Sequence, residues 1–153
     1  MMTTSTTLRQ SHVRGVRLYR MHQVEDRFRG NLTVGEFGRD LPFKPQRYFI
    51  TYDIPADMVR GAHAHKTCEQ FVLCVRGQCS LIVDDGVNRD VLRLERPDVG
   101  AYVPSMTWLT ECNHTPDAAL LIFASLPYDP GDYIHDHEVF RGLSRSATLN
   151  ECR

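Results

Sequence analysis

The chain reads as an all-β protein, a sandwich or jelly roll, closed by one short helix near its C-terminal end. Three observations predict this. Apolar and β-branched residues come in short runs, such as Phe71-Val72-Leu73-Cys74-Val75 and Ser80-Leu81-Ile82-Val83, which suit a pleated, half-buried surface. Tight turns separate the runs: Arg76-Gly77-Gln78 follows the first and Asp84-Asp85-Gly86 the second, the latter a strong hairpin signal. Helical character is confined to about Asp132 to Leu143, with Asp132 as the expected cap, so no βαβ alternation is present.

In chain order, residues 1–12 are polar and threonine-rich and are expected to be a disordered lead without the apolar centre of a signal peptide. Residues 13–143 are expected to form one domain and 144–153 a tail. Val13 to Tyr19 reads as a first strand, Asp26 to Asn31 as a turn, and Leu32 to Glu36 as a second strand. Arg47 to Ile54 and Val59 to His65 are extended, separated by a proline-containing turn. After the two central runs come Val91 to Leu94, Gly100 to Val103 and the buried run Ala118 to Ala124.

The 153 residues suffice for a single core. A net charge of −1 gives no global field towards nucleic acid or an anionic membrane, and no apolar run is long enough for a membrane helix. Five cysteines, odd in number and without CxxC spacing, argue against a disulfide framework or zinc knuckle and for a reducing cytoplasm.

The chemistry is concentrated in Arg60-Gly61-Ala62-His63-Ala64-His65-Lys66, with Glu69-Gln70 beyond it. On an extended strand His63 and His65 share one face, and neutral imidazoles suit proton transfer near neutral pH. By the same alternation, an inward Arg47 leaves Tyr48 and Tyr52 facing away. His135-Asp136-His137 lies in the expected helix and His114 in a Thr-Pro-Asp turn, so all three histidines read as solvated surface; Asp84-Asp85 reads as a hairpin tip.

The pattern Gly61-x-His63-x-His65-x-x-x-Glu69, followed by Gly77, resembles the first motif of the cupin superfamily, which implies a cupin jelly roll (double-stranded β-helix). In the second cupin motif the matching frame is Pro104, Met106, Leu109 and Asn113, so Leu109 stands where a metal-binding imidazole would be. His63, His65 and Glu69 still offer a facial triad for iron, which keeps a metal-dependent oxygenase or isomerase open as a competing reading.

A closer resemblance rests on the Arg60–Lys66 block with Gln70, together with Val75-Arg76-Gly77, Pro104-x-Met106-x-Trp108 and Tyr128-Asp129…Asp132-Tyr133-Ile134. The chain is similar to the sugar 3,4-ketoisomerases over about Val13 to Leu143. That resemblance implies isomerisation of dTDP-4-keto-6-deoxy-D-glucose to a dTDP-3-keto-6-deoxyhexose through an enediol, with no metal or other cofactor. It implies His65 as base and His63 as its partner, and it implies a homodimer. Arginine forks suit a diphosphate, so Arg47 and Arg60 are candidate substrate-binding residues, with Lys66 and Gln70. Trp108 and Tyr48 are candidates for stacking on base or sugar. A dTDP-sugar epimerase and a non-catalytic nucleotide-sugar-binding module would draw on the same residues, and both readings stay open.

Overall fold

A computed structural model describes residues 4–151. In chain order the elements are β1 (Thr6–Gln10), β2 (Arg17–Arg20), β3 (His22–Val24), β4 (Leu32–Val34), β5 (Arg47–Tyr52), β6 (Arg60–His65), β7 (Gln70–Arg76), β8 (Cys79–Asp84), β9 (Arg89–Leu94), β10 (Val99–Val103), β11 (Trp108–Cys112), β12 (Ala119–Ala124), β13 (Tyr133–Ile134) and α1 (His137–Glu151). A six-stranded sheet in the order β1-β2-β10-β7-β12-β5 faces a five-stranded sheet in the order β13-β6-β11-β8-β9, and β3 and β4 form a separate hairpin. This is the expected jelly roll.

Strand alternation decides what lies between the sheets. On β12, Leu120, Ile122 and Ala124 are buried; on β7, Val72 and Cys74; on β8, Leu81 and Val83. All of these but Ala124 join Leu92, Leu94, Val103 and Leu109 in one continuous core. Burying a side chain of this size stabilises by roughly 1.5–3 kcal/mol.

The outer face of the six-stranded sheet is also apolar. Phe71 packs there with Met21, Leu41 and Tyr19, and the Phe37 ring meets Phe123 edge-on at 5.3 Å. Beyond this cover, Tyr48, Ile50 and Tyr52 of β5 stay 66%, 51% and 64% exposed. The outer face of the five-stranded sheet is covered by α1, whose Phe140 packs with Ala64, Ile134, Met106 and Trp108.

Some boundaries differ from those the sequence predicts. The expected disordered lead contains β1, an edge strand exposed along its whole length. It is held by its ladder to β2 and by Arg9 donating to Asp90 at 2.6 Å, so no apolar pattern announces it. Residues 1–3 of that lead lie outside the described residues, as do 152 and 153 of the expected tail. The rest of the tail continues α1 to Glu151, because Ser144 is buried and donates to the Asp85 carbonyl. The helix starts at His137 rather than near Asp132: Asp136 is its cap, accepting from the amides of Glu138 (2.8 Å) and Val139 (3.1 Å). Strands β3, β11 and β13 are further additions to the elements legible in the sequence.

Candidate active site

His63 and His65 share one face of β6, as alternation predicts, and that face is the inner one. His63 pairs directly with Leu109 of β11, and Leu109 with Val83 of β8, so all three point between the sheets. The two imidazoles meet edge to face at 5.1 Å between centroids.

A bulge sets what else shares that face. Gly61 and Ala62 both have positive φ, 75° and 54°, and the β6–β11 register slips there. A Cβ on Gly61 would lie 2.8 Å from the Leu109 carbonyl oxygen, so glycine is required by both conformation and space. The extra residue places Arg60 opposite Glu111. Strict alternation would aim Arg60 away from His63; the bulge turns it inward.

His65 is 5% exposed and anchored to a neighbour that local sequence patterns do not reveal. Its Nδ1 lies 3.0 Å from Asp132 Oδ2. The same carboxylate accepts from the Thr67 amide (2.8 Å), the Thr67 hydroxyl (2.6 Å) and the Cys68 amide (3.1 Å). Burial pushes Asp132 upward, but these hydrogen bonds outweigh it and hold the carboxyl below its usual range. For His65, burial is the largest influence and lowers the pKa, opposed by Asp132 and aided by the positive charge of Arg47. Burial thus favours the neutral ring, Nδ1 is turned to a carboxylate, and the buried Nε2 has no partner among the described residues. His63 is lowered too, first by burial, against its hydrogen bond to the Gly61 backbone, and then by its imidazole neighbours.

Asp132, the expected helix cap, instead ends a 3-10 turn, Pro130–Asp132, that leads into β13. Pairing of Tyr133 with His65 turns the tyrosine ring inward, 4.3 Å from His65 and 4.9 Å from His63 between centroids. His135 follows on the same face, stacked on Tyr133 (5.5 Å, 12°) and 5.9 Å from His63. His135 is therefore an exposed neighbour of the two central histidines and not on a helix. His137 packs against Trp108 and lies 3.3 Å from Asp84. The aromatic and β-branched pair Tyr133-Ile134 after Pro-Gly-Asp is the signal that a strand, not a helix, begins there.

Of the other candidates, Arg47 lies on the inner face of β5, its guanidinium 5.5 Å from the rings of both Phe49 and Tyr128, with Nε unpartnered. Gln70 is buried opposite Val103 and Ala124, on the inner face of β7. Three candidates are not brought to the cavity. Lys66 donates to the Gly131 carbonyl at 3.0 Å and fastens the 3-10 turn. Tyr48 pairs with Phe123 on the outer face, as its parity with Arg47 requires. Trp108 packs under α1 against His137 and Phe140, at 4.9 and 5.7 Å. His114 is buried rather than solvated, with both ring nitrogens unpartnered and Nε2 4.0 Å from Glu111.

The cupin metal set does not assemble. Glu69 faces outward and accepts a short hydrogen bond from Tyr102, and Leu109 offers no donor. Among the described residues, His65, Cys68 and Asp132 bring ligand atoms within 4.8 Å of one another. The carboxylate there is already engaged by four hydrogen bonds, so the trio works as an anchored imidazole. A groove of about 650 Å³ lies elsewhere, on the outer face between the β3–β4 hairpin and Leu73, Val75 and Leu121.

A family profile described as FdtA (WxcM-like, C-terminal) matches residues 14–145. A TDP-4-oxo-6-deoxy-α-D-glucose-3,4-oxoisomerase of Aneurinibacillus thermoaerophilus is 34% identical over 113 residues, covering 74% of this chain and 81% of the relative. A 3,4-ketoisomerase from Helicobacter canadensis has a similar structure, with a TM-score of 0.83 and 31% identity over 88% of this chain and 99% of that one. A histidine-to-asparagine variant of the 3,4-ketoisomerase QdtA from Thermoanaerobacterium thermosaccharolyticum, in complex with TDP-4-keto-6-deoxyglucose, has a TM-score of 0.84 and 26% identity over 88% of this chain and 96% of that one.

Proposed function

The chain belongs to the FdtA family (WxcM-like, C-terminal), and from that premise we propose that it is a sugar 3,4-ketoisomerase converting dTDP-4-keto-6-deoxy-D-glucose to a dTDP-3-keto-6-deoxyhexose. The observation that carries the mechanism is the unpartnered, buried Nε2 of His65, whose other nitrogen is bound to Asp132.

In this reading Nε2 removes the hydrogen on C3. The new imidazolium is stabilised by Asp132, which stays ionised in its cage of donors. Negative charge develops on the C4 oxygen, and in this reading His63 stabilises it. Uptake of a proton by that oxygen gives the enediol, which then loses its O3 proton and gains a proton at C4. One hydrogen has moved from C3 to C4 and one proton from O3 to O4, so no redox partner is consumed. Arg47 and Arg60 supply positive charge for the diphosphate, and Gln70 a polar contact from the inner wall.

The test is conversion of this substrate by purified protein after chelation, followed by NMR. Retained activity with the carbonyl moved from C4 to C3 supports the proposal. Activity lost with chelator and restored by iron would favour a metal-dependent cupin. An inverted carbon with the carbonyl still at C4 would make the protein an epimerase.

We further propose that the protein is a cytoplasmic homodimer. Support for the first is the free thiols of Cys68, Cys74, Cys79 and Cys112. Support for the second is the exposed apolar strip of Tyr48, Ile50 and Tyr52 beside the outer groove. Sedimentation of Ile50→Asp as a monomer would agree with that interface.

A further inference from the structure

The reaction moves oxygen-bound protons as well as carbon-bound ones, and the two central histidines differ in their access to water. His65 is nearly sealed, with one nitrogen committed to Asp132, so its single free nitrogen is occupied by the carbon acid. The oxygen protons fall to His63, which is half-buried and packed between His65, Tyr133 and His135. A bound sugar would close the cavity side of that ring.

We infer that His135 is the proton relay between His63 and bulk water during ketoisomerisation. This rests on the isomerase reading of the same cavity. Four observations carry it. His135 is exposed, so its outer edge is in solvent. Its inner side faces His63 at 5.9 Å between centroids and 61° between planes, close enough for a direct contact or a single bridging water. The ring is held by stacking on Tyr133, 12° from parallel. It follows directly on β13, an edge strand of the five-stranded sheet, so no further strand separates it from water. The relay takes a proton on one ring nitrogen and releases one from the other, so the overall stoichiometry of the isomerisation is unchanged. His135 acts through His63 and is a positioning and relay residue.

Replacing an exposed side chain leaves the barrel intact, which makes the test direct. His135→Asn should lower kcat by about tenfold or more, within the usual range for a proton-transfer group, with KM changed less than about twofold. The charged and titratable groups around the relay are His63 and His65 on β6, Arg47 on β5, and Tyr128, Asp132 and Tyr133 on the segment that carries His135. Removing a positive neighbour of His63 should move the acidic limb of kcat/KM to higher pH. In His135→Ala, added imidazole should restore kcat in a saturable way. An unchanged kcat, or a loss that imidazole does not restore, overturns the relay. A wild-type protein that does not move the carbonyl overturns the isomerase reading itself, seen in the control alone.

Discussion

The centre of the six-stranded sheet and the β6–β13 edge of the five-stranded sheet use the same alternation to opposite ends. In β7, β10 and β12 every second residue goes to the core, and the pairings among these strands slip only near Ala119. At β6 the register slips beside a two-residue positive-φ bulge, and a two-residue strand ties down its far end. One region maximises packing; the other departs from regularity where Arg60, His63 and His65 must share a wall. Irregularity here is what assembles the chemistry.

The largest break in this comparison is at His65. His65→Asn should keep the fold and nucleotide affinity yet reduce kcat by about 10³-fold, near the middle of the range for a general base. Steady-state assays with binding measured alongside would separate the two effects. Comparable loss of affinity would show that the ring holds substrate rather than abstracting a proton.

Next comes its anchor. Asp132→Asn removes the charge that raises the His65 pKa against burial. The acidic limb of the pH–rate profile should therefore move to lower pH, while kcat drops by about 10²-fold because the imidazolium loses its counter-charge. A limb that moves upward would contradict the assigned cause.

Gly61→Val tests the bulge. Strain at positive φ and the clash with the Leu109 carbonyl should cost about 1–3 kcal/mol of stability and raise KM as Arg60 is turned away, whereas Val72→Ala in the regular sheet should destabilise with KM unchanged. The smallest effect is expected at Trp108→Phe, whose ring lies under α1: a slightly lower Tm and no change in KM. A large KM effect there would return the tryptophan to the substrate site.

The contrast also explains what is legible in the sequence. The all-β class, the hairpin at Asp84-Asp85-Gly86 and the shared face of the two histidines follow from local periodicity, whereas the choice of jelly roll over sandwich rests on the cupin resemblance. Asp132 is 67 positions from its partner, and no local pattern reports such a pairing. His135 is misplaced onto a helix because Asp132 and Asp136 are both plausible caps, and the choice between them moves the helix start past the histidine. Arg60 stands out by its place in the motif, but alternation alone points it outward. Lys66 and Trp108 stand out for their proximity in sequence to the motifs, and each has a structural contact that accounts for it.

The cage around Asp132 has a consequence for how the protein ages and fails. Its donors come from residues 65–68, while the carboxylate belongs to the crossing segment that also carries Tyr133 and His135. Loosening that segment would leave the main sheets closed but strip the base of its counter-ion and its relay together. On slow heating, turnover should therefore vanish some degrees before the barrel melts, and a preparation that looks fully folded by circular dichroism could already be catalytically dead.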